Sequence, residues 1–210
     1  MYNTISINPA YAGSRETLSV VGLHRSQWVG FKGGPITQTL TANTPLRNDK
    51  IGVGISFIND KLGYQNFSYL YGDFSYTINT SENTKLAFGL KAGFTQYSLS
   101  NDLRGDEPDD PAIYGIEDRW SPNIGLGLFW HNPKWYIGVS APRVLNTDYN
   151  KQGNSSGVQY QALERISYYV TGGYVFTLSE NTKFKPAALI KATNGAPISY
   201  DMTANFLFNE

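Results

Sequence analysis

Apolar and polar residues alternate with period two through nearly every segment between turns, and no 3.6-residue stripe competes with them. Ile51, Val53, Ile55 and Phe57 oppose Gly52, Gly54 and Ser56, and Leu70, Gly72, Phe74, Tyr76 and Ile78 oppose Tyr69, Tyr71, Asp73, Ser75 and Thr77. Leu86, Phe88, Leu90, Ala92 and Phe94 repeat the pattern, as do Ile124 to Trp130, Trp135 to Val139, Ile166 to Leu178, Phe184 to Ile190 and Ile198 to Phe208. Upstream, Thr17 to Leu23 and Ile36 to Asn43 flank Gly30 and Gly33-Gly34-Pro35, which reads as a hairpin with aromatic and basic groups at its tip. The pattern predicts about ten strands, many near the roughly 9–11 residues that cross a bilayer obliquely.

Charge follows the same alternation. The apolar faces carry no Lys, Arg, Asp or Glu, while Asp73, Lys85, Lys91, Lys185, Lys191 and Asp201 sit on the opposite face. Hydrocarbon penalises a mid-depth charge by about 2–4 kcal/mol, whereas a lumen does not. A soluble β-sandwich binding carbohydrate would alternate as well, so it stands as an alternative. Loop lengths lean toward the membrane. The even connections are short and polar, two of them sharing the word SENTK, whereas the long ones, Asn101 to Trp120 and Pro142 to Glu164, are both odd. That asymmetry predicts a transmembrane β-barrel with residues 1–16 and the chain end on the periplasmic side.

Composition adjusts the picture at a few points. Aromatics make up 14% of the chain, with 15 Tyr, and charged residues only 16%, against roughly 25% in an average soluble domain. Lys+Arg and Asp+Glu are 17 each, so no field steers nucleic acid, and no basic stripe appears. No run approaches the length of a membrane helix, and no linker divides residues 1–210, which read as one domain. The start lacks the basic and apolar regions of a signal peptide.

Candidate chemistry is sparse. His24 and His131 have no metal-ligand spacing, Cys is absent, and no nucleophile elbow or phosphate cradle appears. Paired carboxylates could be drawn from Asp73, Asp118, Glu164 and Asp201, but nothing brings two of them together. Asp102, Asp106, Glu107, Asp109 and Asp110 offer oxygen ligands of the kind Ca²⁺ uses, in a spacing that matches no EF-hand; a solvated loop is the plainer reading. The expectation is therefore no enzyme, no cofactor and no metal. Trp28, Trp120, Trp130 and Trp135 stand beside turns, as interfacial girdles do.

Three stretches carry a family resemblance: YNTISINPAYAGSR, RSQWVGFKGGPITQT and, in mid-chain, YIGVSAPRVLN. They resemble the PorP/SprF family of type IX secretion and gliding-motility proteins of Bacteroidetes. The resemblance implies an antiparallel outer-membrane β-barrel of a Gram-negative bacterium. Its expected surroundings are outer-membrane lipid, secreted surface proteins or adhesins, and other type IX secretion components. It also implies further strands after Phe208, so that a signal peptide and the C-terminal strands are expected to be missing from residues 1–210. Arg25, Ser26, Gln27, Trp28, Gly30 and Phe31 carry part of the signature, as a partner-docking surface or as a loop packed over the barrel mouth. The alternative to a partner or anchor is a porin-like diffusion channel lined by Lys85, Lys91, Lys185 and Lys191.

Overall fold

The structure is a computed structural model that describes residues 3–47, 50–100, 116–148 and 163–208. After two short 3-10 turns, Thr4–Ser6 and Pro9–Tyr11, every regular element among the described residues is a strand. In order these are β1 (Ser19–Ser26), β2 (Ile36–Pro45), β3 (Ile51–Leu62), β4 (Gln65–Ser81), β5 (Thr84–Leu99), β6 (Ile116–His131) and β7 (Trp135–Ala141). A two-residue pair follows, β8 (Thr147–Asp148) and β9 (Leu163–Glu164), and then β10 (Ser167–Tyr174), β11 (Phe176–Ser179), β12 (Thr182–Thr193) and β13 (Ser199–Phe208).

Eleven of these form one antiparallel sheet, with each strand beside its sequence neighbour and β7 beside β10 across the β8–β9 excursion. β10 and β11 both pair with β12 and are two halves of one crossing broken at Val175, so the eleven strands make ten crossings. Among the described residues β1 pairs only with β2 and β13 only with β12; the sheet is open between them.

The two faces invert the usual distribution of polarity. Leu40, Ile55, Leu70, Phe88, Leu90, Phe94, Ile124, Leu126, Val139 and Val170 are exposed on the outward face, Leu90 by 56%. Thr41, Asn43, Ser56, Asp73, Ser75, Lys91, Thr95, Asn123, Ser140 and Thr171 are buried on the inward face. A soluble sandwich buries its apolar face between two sheets; among the described residues no second sheet covers the apolar face, and its side chains are exposed. The apolar run Leu86 to Phe94 spans roughly 27 Å along β5, about 20 Å of height at a tilt near 40°, close to the apolar belt of a membrane barrel.

Turns follow the parity expected from the sequence. SENTK closes β4 to β5 and again β11 to β12, each through a two-residue turn. The carboxylates of the acidic loop, Asp102 to Asp110, lie outside the described residues, and so does most of the second long loop. The structure adds one placement that the alternation does not give: residues 7–12 lie inside, against the polar face of the sheet.

Candidate functional site

The register explains why the N-terminal segment fits inside. Gly52 pairs with Ser75, Ser75 with Gly89, Gly89 with Gly127, and Gly127 with Ser140. One row of Gly and Ser therefore runs straight across β3, β4, β5, β6 and β7, a trough at right angles to the strands. Residues 12 back to 7 lie along it. A Cβ added at Gly52 would overlap the Ala12 carbonyl, one at Gly89 the Ala10 backbone, and one at Gly127 the Asn8 side chain. The serines supply the polar contacts: Ser75 Oγ donates to Ala12 O at 2.7 Å and Ser140 Oγ to Ile7 O at 2.8 Å.

Asn8 is the latch. Its side chain is fully buried, donates from Nδ2 to Leu128 O at 2.9 Å, and accepts at Oδ1 from Ala10 N at 3.0 Å. That second bond caps the 3-10 turn that Pro9 opens, so the Asn-Pro pair both shapes the turn and ties it to β6. Asn3 and Gly13 bind Thr41 and Asn43 of β2, at 2.9 and 3.2 Å. Ala10 packs with Ala87 and Phe129, and Tyr11 meets Phe129 edge-on at 5.3 Å between ring centroids. Glu16 forms an ion pair with Lys85 at the short-turn end; hydrogen bonding and charge from Lys85 hold its carboxyl below the ordinary range.

The mid-chain motif enters the same interior. After Ala141 the chain leaves β6's edge and turns inward, and Pro142 packs so closely on Gly125 that a Cβ there would overlap its carbonyl. Asn123 of β6 holds this departure. Its Oδ1 accepts from the backbone of Val144 and Leu145, and its Nδ2 donates to Leu145 O at 2.9 Å. Arg143 then lies 4.7 Å over the Tyr69 ring and pairs with Glu164. Beside it a buried cross-strand pair, Lys91 Nζ to Asp73 Oδ1 at 2.7 Å, is steadied by Ser56 Oγ at 3.0 Å. A cavity of about 200 Å³ remains between Ser6 and Ile7 on one side and Tyr69, Tyr71, Arg143 and Tyr169 on the other.

The residues singled out at the first hairpin sit elsewhere. Arg25 and Ser26 end β1, and Gln27 to Gly34 form a loop closed by Gln27 N to Pro35 O at 2.9 Å. Trp28 and Phe31 meet edge-on at 6.4 Å and are 66% and 70% exposed, with Trp28 held at a positive φ of 53°. Gly33 O accepts from Gly63 N at 3.0 Å, which fastens the loop to the β3–β4 turn. Gly30 stands at φ 91°, in the left-handed region that favours glycine. Between this loop and the ends of β3, β4 and β5 runs a groove of about 1110 Å³.

All four lysines of the channel alternative face inward, as their parity requires. Lys91 is spent on Asp73, Lys85 on Glu16, and Lys185 and Lys191 lie over the rings of Tyr136 and Tyr169. Among the described residues no three His, Cys, Asp or Glu side chains gather as metal ligands. The plug was not legible from the sequence, although its signals were present as the Asn8-Pro9 turn and as glycines opposite apolar residues.

An exposed apolar belt, a buried polar wall and a segment folded into the interior define a membrane β-barrel protein with its lumen occupied. The chain belongs to the family of type IX secretion system membrane proteins PorP/SprF, whose profile matches residues 1–210. No curated protein and no solved structure matches it.

Proposed function

We propose that the protein is a non-enzymatic outer-membrane component of the type IX secretion and gliding machinery, acting as a partner or anchor for secreted surface proteins. The observation that carries this reading is the occupied trough: the inner wall of β3 to β7 is used to hold residues 7–12 of the same chain. The stretch of wall under residues 7–12 is covered and closed to diffusing solutes. The long loops mark the outward end, as in outer-membrane barrels generally. There Asp60, Tyr69, Arg143 and Tyr169 border a mouth floored by Ser6 and Ile7, a polar and aromatic surface of the kind that binds a protein end or loop.

The diffusion-channel reading keeps one observation in its favour, the inward lysines Lys185 and Lys191. Photo-crosslinking in whole cells separates the two. A photoreactive residue at Tyr169 is expected to capture a secreted surface protein identified by mass spectrometry, and one at Asn83, in a short turn, is not. Steady conductance in planar bilayers with no such adduct at Tyr169 would overturn the anchor reading.

A further inference from the structure

The outward face changes character at one level on three adjacent strands, β3, β4 and β5. Phe57, Leu70 and Phe94 are the last outward apolar residues of β3, β4 and β5 before the long-loop end, and all three are exposed; on β2 the exposed Leu40 is followed by Gln38 and then by Ile36, which lines the groove described below. The next outward positions are Gln38, Asn59, Ser68 and Gln96, and beyond them Lys61, Asn66 and Ser98 on β3, β4 and β5. These positions share parity with the apolar belt and are paired in register: Gln38 with Asn59, Asn59 with Ser68, and Ser68 with Gln96. Asn59 Nδ2 donates to both Asn66 Oδ1 and Ser68 Oγ at 2.9 Å, so the amides form an ordered floor. An apolar-to-polar boundary aligned across β3, β4 and β5, with Gln38 of β2 in the same row, is the level at which hydrocarbon gives way to headgroups.

The 1110 Å³ groove lies immediately beyond that line, on the lipid side of the wall and outside the lumen. Asn59, Asn66 and Ser98 floor it, and the loop with Trp28, Val29 and Phe31 rims it. Val29 is 88% exposed. Lys32 and Lys61 also line the groove, and no carboxylate does among the described residues. Trp and Phe beside amides and lysines suit the interfacial layer, where rings sit among acyl-chain ends and ammonium groups reach phosphates. A peptide strand would need an open sheet edge, and β3, β4 and β5 are paired on both sides.

We propose that this groove seats the phosphorylated headgroup of a glycolipid of the outer leaflet, with Lys32 and Lys61 facing the phosphate and Trp28 and Phe31 at the acyl boundary. The proposal rests on the membrane placement of the chain and not on the secreted-partner reading, so either can fail alone. It gives the Arg25-to-Phe31 signature a lipid-holding role, distinct from the partner surface at the mouth.

The test is native mass spectrometry of the full chain in detergent, titrated with lipid A and with lipid A stripped of phosphate. The wild-type protein is expected to retain the phosphorylated form roughly tenfold more tightly. Lys32→Gln with Lys61→Gln should remove that preference, while Lys134→Gln with Lys183→Gln at the short-turn end should leave it intact. Heat-dependent gel mobility checks that each variant folds. Equal retention of both lipids, an undiminished preference in the Lys32/Lys61 variant, or displacement of lipid A by millimolar inorganic phosphate would each overturn the proposal. A photoreactive residue at Val29 that yields protein adducts and no lipid adducts in cells would also overturn it, in favour of a protein occupant.

Discussion

Ser140 donates its hydroxyl to the carbonyl of Ile7 at 2.8 Å, joining two conspicuous words of the sequence that stand 133 residues apart. Ile7 opens the INPAYAGS stretch and Ser140 precedes the APRVLN stretch. Both motifs converge inside the sheet, one as a plug laid across β3 to β7 and the other as the exit of β7. Their chemistry is conformational: an Asn-Pro turn that fits a trough, and a proline that leaves a strand. Four expected outcomes follow from this arrangement.

Filling the trough should dislodge the plug. Gly89→Val places methyl groups where the Ala10 backbone lies, and is expected to cost about 1–3 kcal/mol or more. Gly22→Ala, whose Cβ meets nothing within 4 Å, should be close to neutral. Denaturant midpoints and the rate of tryptic cleavage at Arg15 measure both. Equal behaviour of the two variants would contradict the seat described here.

The Asp73–Lys91 pair is buried on both sides, with side-chain exposures of 0% and 3%. Removing either partner alone leaves an uncompensated charge and is expected to cost about 3–5 kcal/mol. Asp73→Leu combined with Lys91→Met should cost less than either single change. A double-mutant cycle by urea unfolding in lipid reads the coupling, and additive losses would show that the pair is not interacting as its geometry requires.

Leu90 tests the outward face. Leu90→Arg is expected to lose about 2–4 kcal/mol at mid-depth, whereas Lys185→Arg on the inward face should stay within about 0.5 kcal/mol. The comparison is made by refolding into bilayers of defined thickness. Similar tolerance at the two sites would remove the assignment of faces.

Acid should loosen the base of the plug. The carboxyl of Glu16 is held below its ordinary value of 4.5 by Lys85, so its contribution is present above that value and is lost as pH falls through the lower folded one. The pair is exposed, which keeps the effect small. A spin label at Ser14 is expected to gain mobility as pH falls below the ordinary glutamate value of 4.5, and Glu16→Gln should show that mobility already at pH 7. A label whose mobility is independent of pH in the wild-type protein would rule out the tie.

The outer surface was legible from the chain because period-two alternation and the one-sided placement of charge are direct consequences of a sheet with lipid on one side. Leu90, Ile55 and Val170 face outward where alternation puts them, and the SENTK turns close where their polarity suggests. The interior was not legible, for a physical reason. Gly52, Gly89, Gly127 and Gly138 each occupy an inward position, and a glycine opposite a leucine reads as mere absence of a side chain. Only the register shows that three of them stand in one row with Ser75 and Ser140, and only then does Asn8 acquire a place to bind. The exposure of Trp28 and Phe31 was equally hidden, since a hairpin tip can fold to either side of its sheet.

The trough also acts as a gauge of register. Slipping β6 by one residue against β5 would exchange its faces and bring Leu126 or Leu128 inward in place of Gly127. Either leucine would stand where Asn8 now lies, and the amide would lose the Leu128 carbonyl that satisfies it. A slipped sheet therefore cannot accept its own N-terminal segment. In a fold built almost wholly of hairpins, that segment makes correct alignment of five strands a single cooperative condition.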